Sequence, residues 1–406
     1  MKIKLMRRLD YWIGIPVCFL LTVLKNMSDL FLFGRKTNPD RINKIVFLKL
    51  SELGAIILSY PLILKMKQAY PESLFFFVTF SKNKDVFKAL NNIIPEENIL
   101  VIREDNLFAF IADVFLFIKR IRREKIDIIF DLEFFSRVSA VISYLCAAKR
   151  IVGFYAYTFE GLYRGDLLTH KVAYNPLRHI TKSYLSLAQA IKGKGKCSPE
   201  LLEAVRDDDI ILPRYKSQSV LRRKMEDKIL NAGLDLNGKI ILLNSGEGVL
   251  PLREWPLNYF VSLCRFLLGD EKYQIIFIGT KGASAKTQEI LRILNSKRCL
   301  DLVGHTKLEE LMELFYIANA LICNDCGLAH LAALAPIHSY IIFGPESPRI
   351  FSPFGKKEGI IYSNWPCSPC ISALNHRDSA CRDNVCLKEV LPEQVYGLVK
   401  QSISEN

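Results

Sequence analysis

From Lys44 onward, short apolar runs alternate with longer amphipathic stretches, and this alternation restricts the fold more than any other feature of the chain. Ile45 to Leu50 reads as a buried strand, Leu53 to Ala69 as a helix stopped by Tyr70-Pro71, and Leu74 to Phe80 as the next strand. Asn106 to Arg123 is then helical, Ile126 to Leu132 a strand, Phe134 to Ala148 a helix and Ile151 to Phe154 a short strand. A second series begins at Lys239, with strands at Ile240 to Leu243, Gln274 to Ile278, Ala320 to Cys323 and Ser339 to Phe343. Helices at Asn258 to Leu268, Ala285 to Asn295, Lys307 to Ile317 and Gly327 to Leu334 separate them. Strands spaced by helices of this length pair in parallel through right-handed crossovers, so the expectation is α/β, with two doubly wound domains facing a cleft. Ligands of such domains bind beyond the carboxyl ends of the strands.

The chain divides into an N-terminal segment (1–40), a first α/β domain (41–195), a connection (196–238), a second α/β domain (239–390) and a C-terminal helix (391–406). The connection is marked by Gly193-Lys-Gly-Lys196 and Asp207-Asp-Asp209. At 406 residues, half of them hydrophobic and about a quarter charged, the chain is neither disordered nor a multi-span transporter. Its 55 Lys and Arg against 42 Asp and Glu give a net charge of +13, which favours anionic partners: phosphorylated ligands, acidic lipids or nucleic acid. No nucleic-acid-binding motif is present, so the basic excess is assigned to membrane and phosphorylated ligands. Eleven cysteines are too few for a disulfide scaffold of this length, and Cys146, Cys264 and Cys323 lie in apolar stretches, which points to the cytoplasm.

The N-terminus is basic (Lys2, Lys4, Arg7, Arg8), then apolar from Tyr11 to Leu24, with a second short apolar patch from Leu30 to Phe33. Tyr11 to Leu24, interrupted by Gly14 and Pro16, falls short of the roughly 20 residues a spanning helix needs. No A-x-A-like cleavage site follows it. The expected role is an interfacial anchor, with Tyr11 and Trp12 at headgroup level and the flanking cations attracted to anionic lipid. An arm packed on the protein's own core is the competing reading. The helical face Leu107 to Ile121, with Phe108, Phe110, Phe115 and Phe117, reads as core, and Arg120, Arg122, Arg123 and Lys125 as a basic helix end.

The segment Leu321 to Leu334 carries chemistry in its turn, Asn324-Asp325-Cys326-Gly327-Leu328-Ala-His330. Backbone amides of residues 326 to 328 and the positive end of a helix dipole could cradle a phosphate there, and Gly327 permits close approach. Taken alone, Asp325 could simply cap the helix with His330 packed beneath it. Two other strand ends add to the same rim. Asn244-Ser-Gly246-Glu-Gly248 is followed by Arg253-Glu-Trp255-Pro256, and Phe343-Gly-Pro-Glu-Ser-Pro348 closes a further strand. Glycines and a cation at strand ends suit an anionic ligand.

These motifs, with Lys49-Leu-Ser-Glu-Leu-Gly54, Tyr60-Pro61, Arg150-Ile-Val-Gly-Phe154 and Leu302-Val-Gly304, resemble the lipopolysaccharide heptosyltransferases of glycosyltransferase family nine, from about Arg41 to Val399. The resemblance implies a GT-B fold of two Rossmann-like domains, with an inverting transfer that uses no catalytic metal. The C-terminal domain would take the nucleotide-sugar donor, the N-terminal one a lipid-linked glycan acceptor at the inner face of the cytoplasmic membrane. Carried over by motif, Asn244, Gly246, Arg253, Asp325, Cys326, Gly327, Leu328 and His330 are the donor-binding candidates, with ADP-heptose the implied donor. One departure stands out. Where the best-known members carry an acidic residue just after Ser-x-Leu-Gly, proposed as the base, this chain has Ala55. Glu52 is the leading substitute as catalytic base, ahead of Asp131 and Glu133. The same gap leaves open a non-catalytic nucleotide-sugar or glycan-binding scaffold of envelope assembly, or a nucleotide-sugar epimerase or hydrolase of the same architecture.

Cys367, Cys370, Cys381 and Cys386 form a C-x2-C, ten residues, C-x4-C pattern whose four thiolates could close a structural zinc site. An iron–sulfur cluster, two disulfides or plain reduced thiols are the other readings. His179, in Asn175-Pro-x-x-His179, is a weak candidate for a cleft group.

Overall fold

Two all-parallel sheets of six strands carry the structure. The computed structural model describes residues 3–31, 41–155, 162–192, 204–246, 250–354 and 359–404. Phe33, the Gly193–Lys196 cluster, Glu247, Gly248 and the side chains of Lys2 and Lys4 lie outside the described residues. Two units emerge, Met1–Phe87 with Asn92–Ile211, and Lys88–Asn91 with Leu212–Asn406.

In the first unit the strands are β1 (Lys44–Leu48), β2 (Leu74–Phe80), β3 (Ile99–Ile102), β4 (Ile128–Asp131), β5 (Arg150–Tyr155) and β6 (His170–Ala173). The helices are α1 (Ile3–Trp12), α2 (Gly14–Phe31), α3 (Leu53–Ala69), α4 (Val86–Ala89), α5 (Leu107–Glu124), α6 (Arg137–Leu145) and α7 (Ile180–Ala190). The order β3-β2-β1-β4-β5-β6 makes β1 and β4 neighbours, so the loops that follow them open side by side where the strand order reverses. Central strands are apolar on both faces because helices cover both. Phe47 of β1 stacks on Phe130 at 5.2 Å and on Phe75 and Phe77 at 6.3 Å each, all buried.

The second unit repeats the plan with β7 (Lys239–Asn244), β8 (Tyr273–Phe277), β9 (Cys299–Asp301), β10 (Ala320–Asn324), β11 (His338–Phe343) and β12 (Ile360–Tyr362). Its helices are α8 (Ser219–Asn231), α9 (Leu257–Leu268), α10 (Ser284–Leu294), α11 (Leu308–Ile317), α12 (Gly327–Ala332), α13 (Pro348–Phe351), α14 (Val385–Lys388) and α15 (Pro392–Ser404). The order β12-β11-β10-β7-β8-β9 places β10 beside β7, again at the reversal. Trp255 is fully buried, and its indole N–H donates to the Val390 carbonyl at 2.9 Å, pinning the loop after β7 to the C-terminal segment.

The N-terminal segment departs from the expectation of a short apolar stretch. Met6–Ser28 is long and apolar enough to cross a membrane by length and composition, yet one face of it is docked on the first unit. Asp10 Oδ1 accepts the backbone N–H groups of Arg137 and Val138, both at 2.9 Å, and so caps α6, while Oδ2 takes Arg137 Nη1 at 3.1 Å. Thr22 Oγ1 accepts the Asp166 amide at 2.9 Å, and Lys25 Nζ donates to the Asp166 carbonyl at 2.8 Å. Gly14 is required here, because a Cβ would stand 2.7 Å from Arg137 Cβ. Cys18 closes a small apolar cluster with Ala140 and Leu167.

The face of α5 also corrects the sequence reading. Phe117 and Ile121 are buried and Phe110 is partly buried, but Phe108 and Phe115 point to solvent. His179 caps α7, its Nδ1 accepting the Thr181 amide at 3.3 Å.

Removing the Asp10 carboxylate takes the acceptor from the first two amides of α6, Ser136 still capping Ser139, and leaves the buried Arg137 guanidinium without this partner. Asp10→Ala should therefore lower unfolding free energy by about 2–4 kcal/mol in a denaturant titration. A change below about 0.5 kcal/mol would mean that α1 contributes nothing to the first unit.

Candidate functional site

The second unit gathers its polar groups at the β7/β10 reversal. Asn324, the last residue of β10, joins the two loops there. Its Nδ2 donates to the Gly246 carbonyl at 3.0 Å and its Oδ1 accepts the Trp255 amide at 3.3 Å. Asn244 turns inward and donates to the Ile278 carbonyl at 2.8 Å, so it supports the loop from below. Gly246 lies against Ala283, whose Cβ would be 3.1 Å from an added Cβ.

Arg253 is the cation of the site. Its Nη2 donates to Glu346 Oε1 at 2.5 Å, and its Nε stands 3.5 Å from Asp325 Oδ2. The second distance is close enough for charge attraction and too long for a good hydrogen bond. Arg253 Nε, Asp325 Oδ2 and Glu346 Oε2 are consequently buried without a hydrogen-bond partner among the described residues. Buried polar atoms are almost always paired, so an incomplete set around one guanidinium singles this cluster out as the candidate ligand site. Arg377 Nε approaches Glu346 Oε1 at 3.4 Å and adds a second cation.

Burial pushes the Asp325 carboxyl above its usual range against the pull of Arg253. Burial likewise drives Glu346 from 4.5 to about 7, again opposed by Arg253. The Cys326 thiol is held below its ordinary value, first by the adjoining Cys323 thiol. His330 is buried within α12, and Gly327 and Leu328 open that helix half-buried. At six residues α12 has a short dipole, so Arg253 supplies more of the positive field than the helix start does.

Glu346 and Arg377 are the residues that sequence reasoning missed. The Phe343 to Pro348 loop was legible as a rim element, but nothing in the pattern Gly-Pro-Glu-Ser-Pro says that its carboxylate turns inward. Arg377 lies in the cysteine-rich segment. There the expected metal site is not assembled: no group of three or more His, Cys, Asp or Glu among the described residues stands close enough to hold an ion. Cys370 Sγ instead accepts the Ser379 hydroxyl at 3.4 Å, and Cys381 Sγ donates to the Asp383 carbonyl at 3.2 Å. Cys367 is exposed. Cys386 is buried, its thiol pushed up to about 11 by burial and then by the neighbouring thiols. Zinc does not fit these thiols as they are placed.

In the first unit, Glu133 follows β4 and secures the loop after β1. Its Oε1 accepts the amides of Leu50 at 2.8 Å and Ser51 at 3.1 Å, and its Oε2 takes Lys49 Nζ at 2.7 Å. Glu52 comes next, at φ +70°, as the residue that starts α3. A non-glycine residue in that region is strained by about 1–3 kcal/mol, and such strain persists where surrounding contacts over-determine it. Here the Glu133 contacts do so. Asp131 is fully buried, paired with Arg164 and bonded to Ser139 at 3.0 Å. It is shut away from solvent, and Glu133 is bonded to the loop after β1.

Comparison with known proteins matches residues 114–380 to the model of "Glycosyltransferase family 9 (heptosyltransferase)". The chain belongs to glycosyltransferase family 9. This family 9 chain is 32% identical over 114 residues to lipopolysaccharide heptosyltransferase 2 of Salmonella typhimurium, a match that covers 27% of this chain and 32% of the relative. It is 25% identical over 175 residues to lipooligosaccharide heptosyltransferase 2 of Campylobacter jejuni, covering 42% of this chain and 53% of the relative. The sequence matches thus span about a third to a half of these curated relatives. In structure, it is similar to Escherichia coli ADP-heptose LPS heptosyltransferase II at 20% identity and TM-score 0.66, covering 89% of this chain and 99% of that one. The family 9 glycosyl transferase of Veillonella parvula gives 17% identity and TM-score 0.67, covering 90% and 98%. These likenesses establish the fold as GT-B, two Rossmann-like units, as the sequence pattern and resemblance implied.

A carboxyl whose folded value lies above its unfolded one stabilises the fold most at low pH. The contribution of Glu346 is present below about 4.5 and lost as pH rises through about 7, because the folded state holds its proton over that window. Glu346→Gln should flatten the decline of unfolding free energy between pH 4.5 and 7. An unaltered slope would show that Glu346 ionises as freely in the folded chain as in the unfolded one.

Proposed function

We propose that this chain is a glycosyltransferase that moves a sugar from a nucleoside diphosphate donor to a lipopolysaccharide core or related envelope glycolipid. The family and its heptosyltransferase relatives make heptose and ADP the leading donor components. The observation that carries the reading is the buried, unsatisfied set around Arg253 at the reversal point of the second sheet. The leaving diphosphate develops negative charge as the glycosidic bond breaks, and a preorganised guanidinium stabilises that charge more in the transition state than in the ground state. Asp325 and Glu346 orient Arg253. A Glu346 carboxyl that takes up a proton near neutral pH reduces the repulsion an incoming phosphate meets.

In the proposed inverting reaction, Glu52 removes the proton from the acceptor hydroxyl as its oxygen attacks the anomeric carbon opposite the departing diphosphate. The support is local. The loop after β1 sits at the reversal point of the first sheet, Glu133 fixes its backbone, and Glu52 holds a strained conformation at its tip. Ala55, in the first turn of α3, has no group that can take a proton. The same reading puts the chain at the inner face of the cytoplasmic membrane with α1–α2 as its anchor; the exposed Trp12, Phe19 and Leu20 of that segment support membrane contact.

Glu52→Gln should reduce turnover by at least 100-fold in a transfer assay with ADP-heptose and a heptose-acceptor glycolipid, with the donor KM changed less than threefold. Wild-type turnover in this variant would remove Glu52 from the mechanism. No transfer by the wild-type protein with any nucleotide-sugar would instead favour the scaffold reading that Ala55 invites.

A further inference from the structure

On the first unit, α6 packs against α1, α2 and α5, so these four helices share one side of the sheet. Met6 of α1, Phe110 and Val114 of α5 and Val138 of α6 contact the same buried cluster. Each outer helix then presents an apolar stripe away from the sheet. On α5 it is Phe108, Ile111, Phe115 and Leu116, spaced i, i+3, i+7, i+8, the repeat of one helix face. Phe108 is 86% exposed and Phe115 65%. On α2 the stripe is Phe19, Leu20, Val23, Leu24 and Met27, with Phe19 62% exposed, and Trp12 at the end of α1 is 72% exposed. A soluble protein rarely leaves so many large apolar side chains in water on one side.

We infer that α5 is a second membrane-contact element, which completes with α1–α2 one lipid-facing surface on the first unit and sets the unit on an anionic bilayer at two points. The inference rests on the membrane reading above and extends it to a helix nothing else implicates. Four features select lipid as the occupant. The stripes flank α6 as two convex helix faces, as suits immersion in a headgroup layer. The α5 stripe runs directly into exposed Lys119, Arg120, Arg122 and Arg123, and Arg8 is exposed on α1, cations of the kind that anionic headgroups attract. The acidic residue within the α5 surface, Asp113, is neutralised by Arg103 through bonds of 2.8 Å to each of its oxygens. The α1–α2 helix pair that shares this side is also the segment whose length and composition suit a membrane.

The test is flotation of the full chain with vesicles of phosphatidylcholine alone and of phosphatidylcholine mixed with phosphatidylglycerol. It compares the wild type with Phe108→Ser/Phe115→Ser on α5 and with Phe19→Ser/Leu24→Ser on α2. All four side chains are exposed, so melting temperatures should remain within a few degrees of the wild type, which separates loss of binding from loss of fold. Wild-type binding should favour the phosphatidylglycerol vesicles and weaken with added salt. The α5 pair should lower partitioning about tenfold or more, the α2 pair comparably, and the four substitutions together should leave the protein in solution. If the α5 pair floats like the wild type while the α2 pair does not, the inference is wrong and the α1–α2 anchor stands. If neither pair changes flotation, both fail. A wild-type dimer in vesicle-free sedimentation that the α5 pair converts to monomer would assign this face to a second copy of the chain and overturn the inference.

Discussion

The second unit is organised around one buried guanidinium. Arg253 lies between Asp325 at the end of β10 and Glu346 at the end of β11, so three loops meet on a single charge. Two carboxylates and one cation cannot all be ionised away from water without cost, and the protein resolves this by letting burial raise both acids. The cluster is thereby held short of full pairing, with three polar atoms unsatisfied among the described residues. In the proposed donor site, a phosphate oxygen that displaces the long Asp325 contact takes the Nε–H of Arg253, and a protonated Glu346 donates where an ionised one would repel.

The first unit applies the same device with opposite charge. Glu133 accepts from Lys49 and from two successive backbone amides, which freezes the loop after β1 and leaves Glu52 displayed in a strained conformation at the start of α3. In each unit a residue from the strand beside the reversal point fixes the loop of its neighbour: Glu133 beyond β4 for the loop of β1, Asn324 at the end of β10 for the loop of β7. Parallel pairing at the switch point makes this possible, because both loops emerge at the same edge.

How much of this was legible in the sequence follows from burial. The inner strands were read correctly because each is a continuous apolar run. The unread strands were β3, β6, β9 and β12, the four outer strands of the two sheets. Edge strands are short and covered on fewer sides, so they lack the run that marks an inner strand. The α7 helix was missed for another reason: it buries Thr181, Ser183, Ser186 and Gln189, polar residues that read as a loop. Conversely, the phenylalanine spacing of α5 predicts core throughout, because helical periodicity does not say which of them a neighbour covers: Phe117 is buried, Phe108 and Phe115 are exposed. The loops of the candidate rim stand out by motif, but Glu346 does not, since whether a loop carboxylate turns inward depends on contacts no spacing encodes. The cysteine spacing suggested a metal site, whereas the folded segment delivers Arg377 instead.

Arg253 is the proposed anion-binding centre of the second unit. Calorimetric titration of ADP, UDP and GDP into the wild type and Arg253→Ala tests it without requiring an acceptor or turnover. Saturable binding of one nucleoside diphosphate by the wild type and a loss of at least tenfold in affinity in the variant are expected, with the variant still folded by its circular dichroism. Equal affinity in the two proteins would contradict it and would place the phosphates elsewhere on the chain.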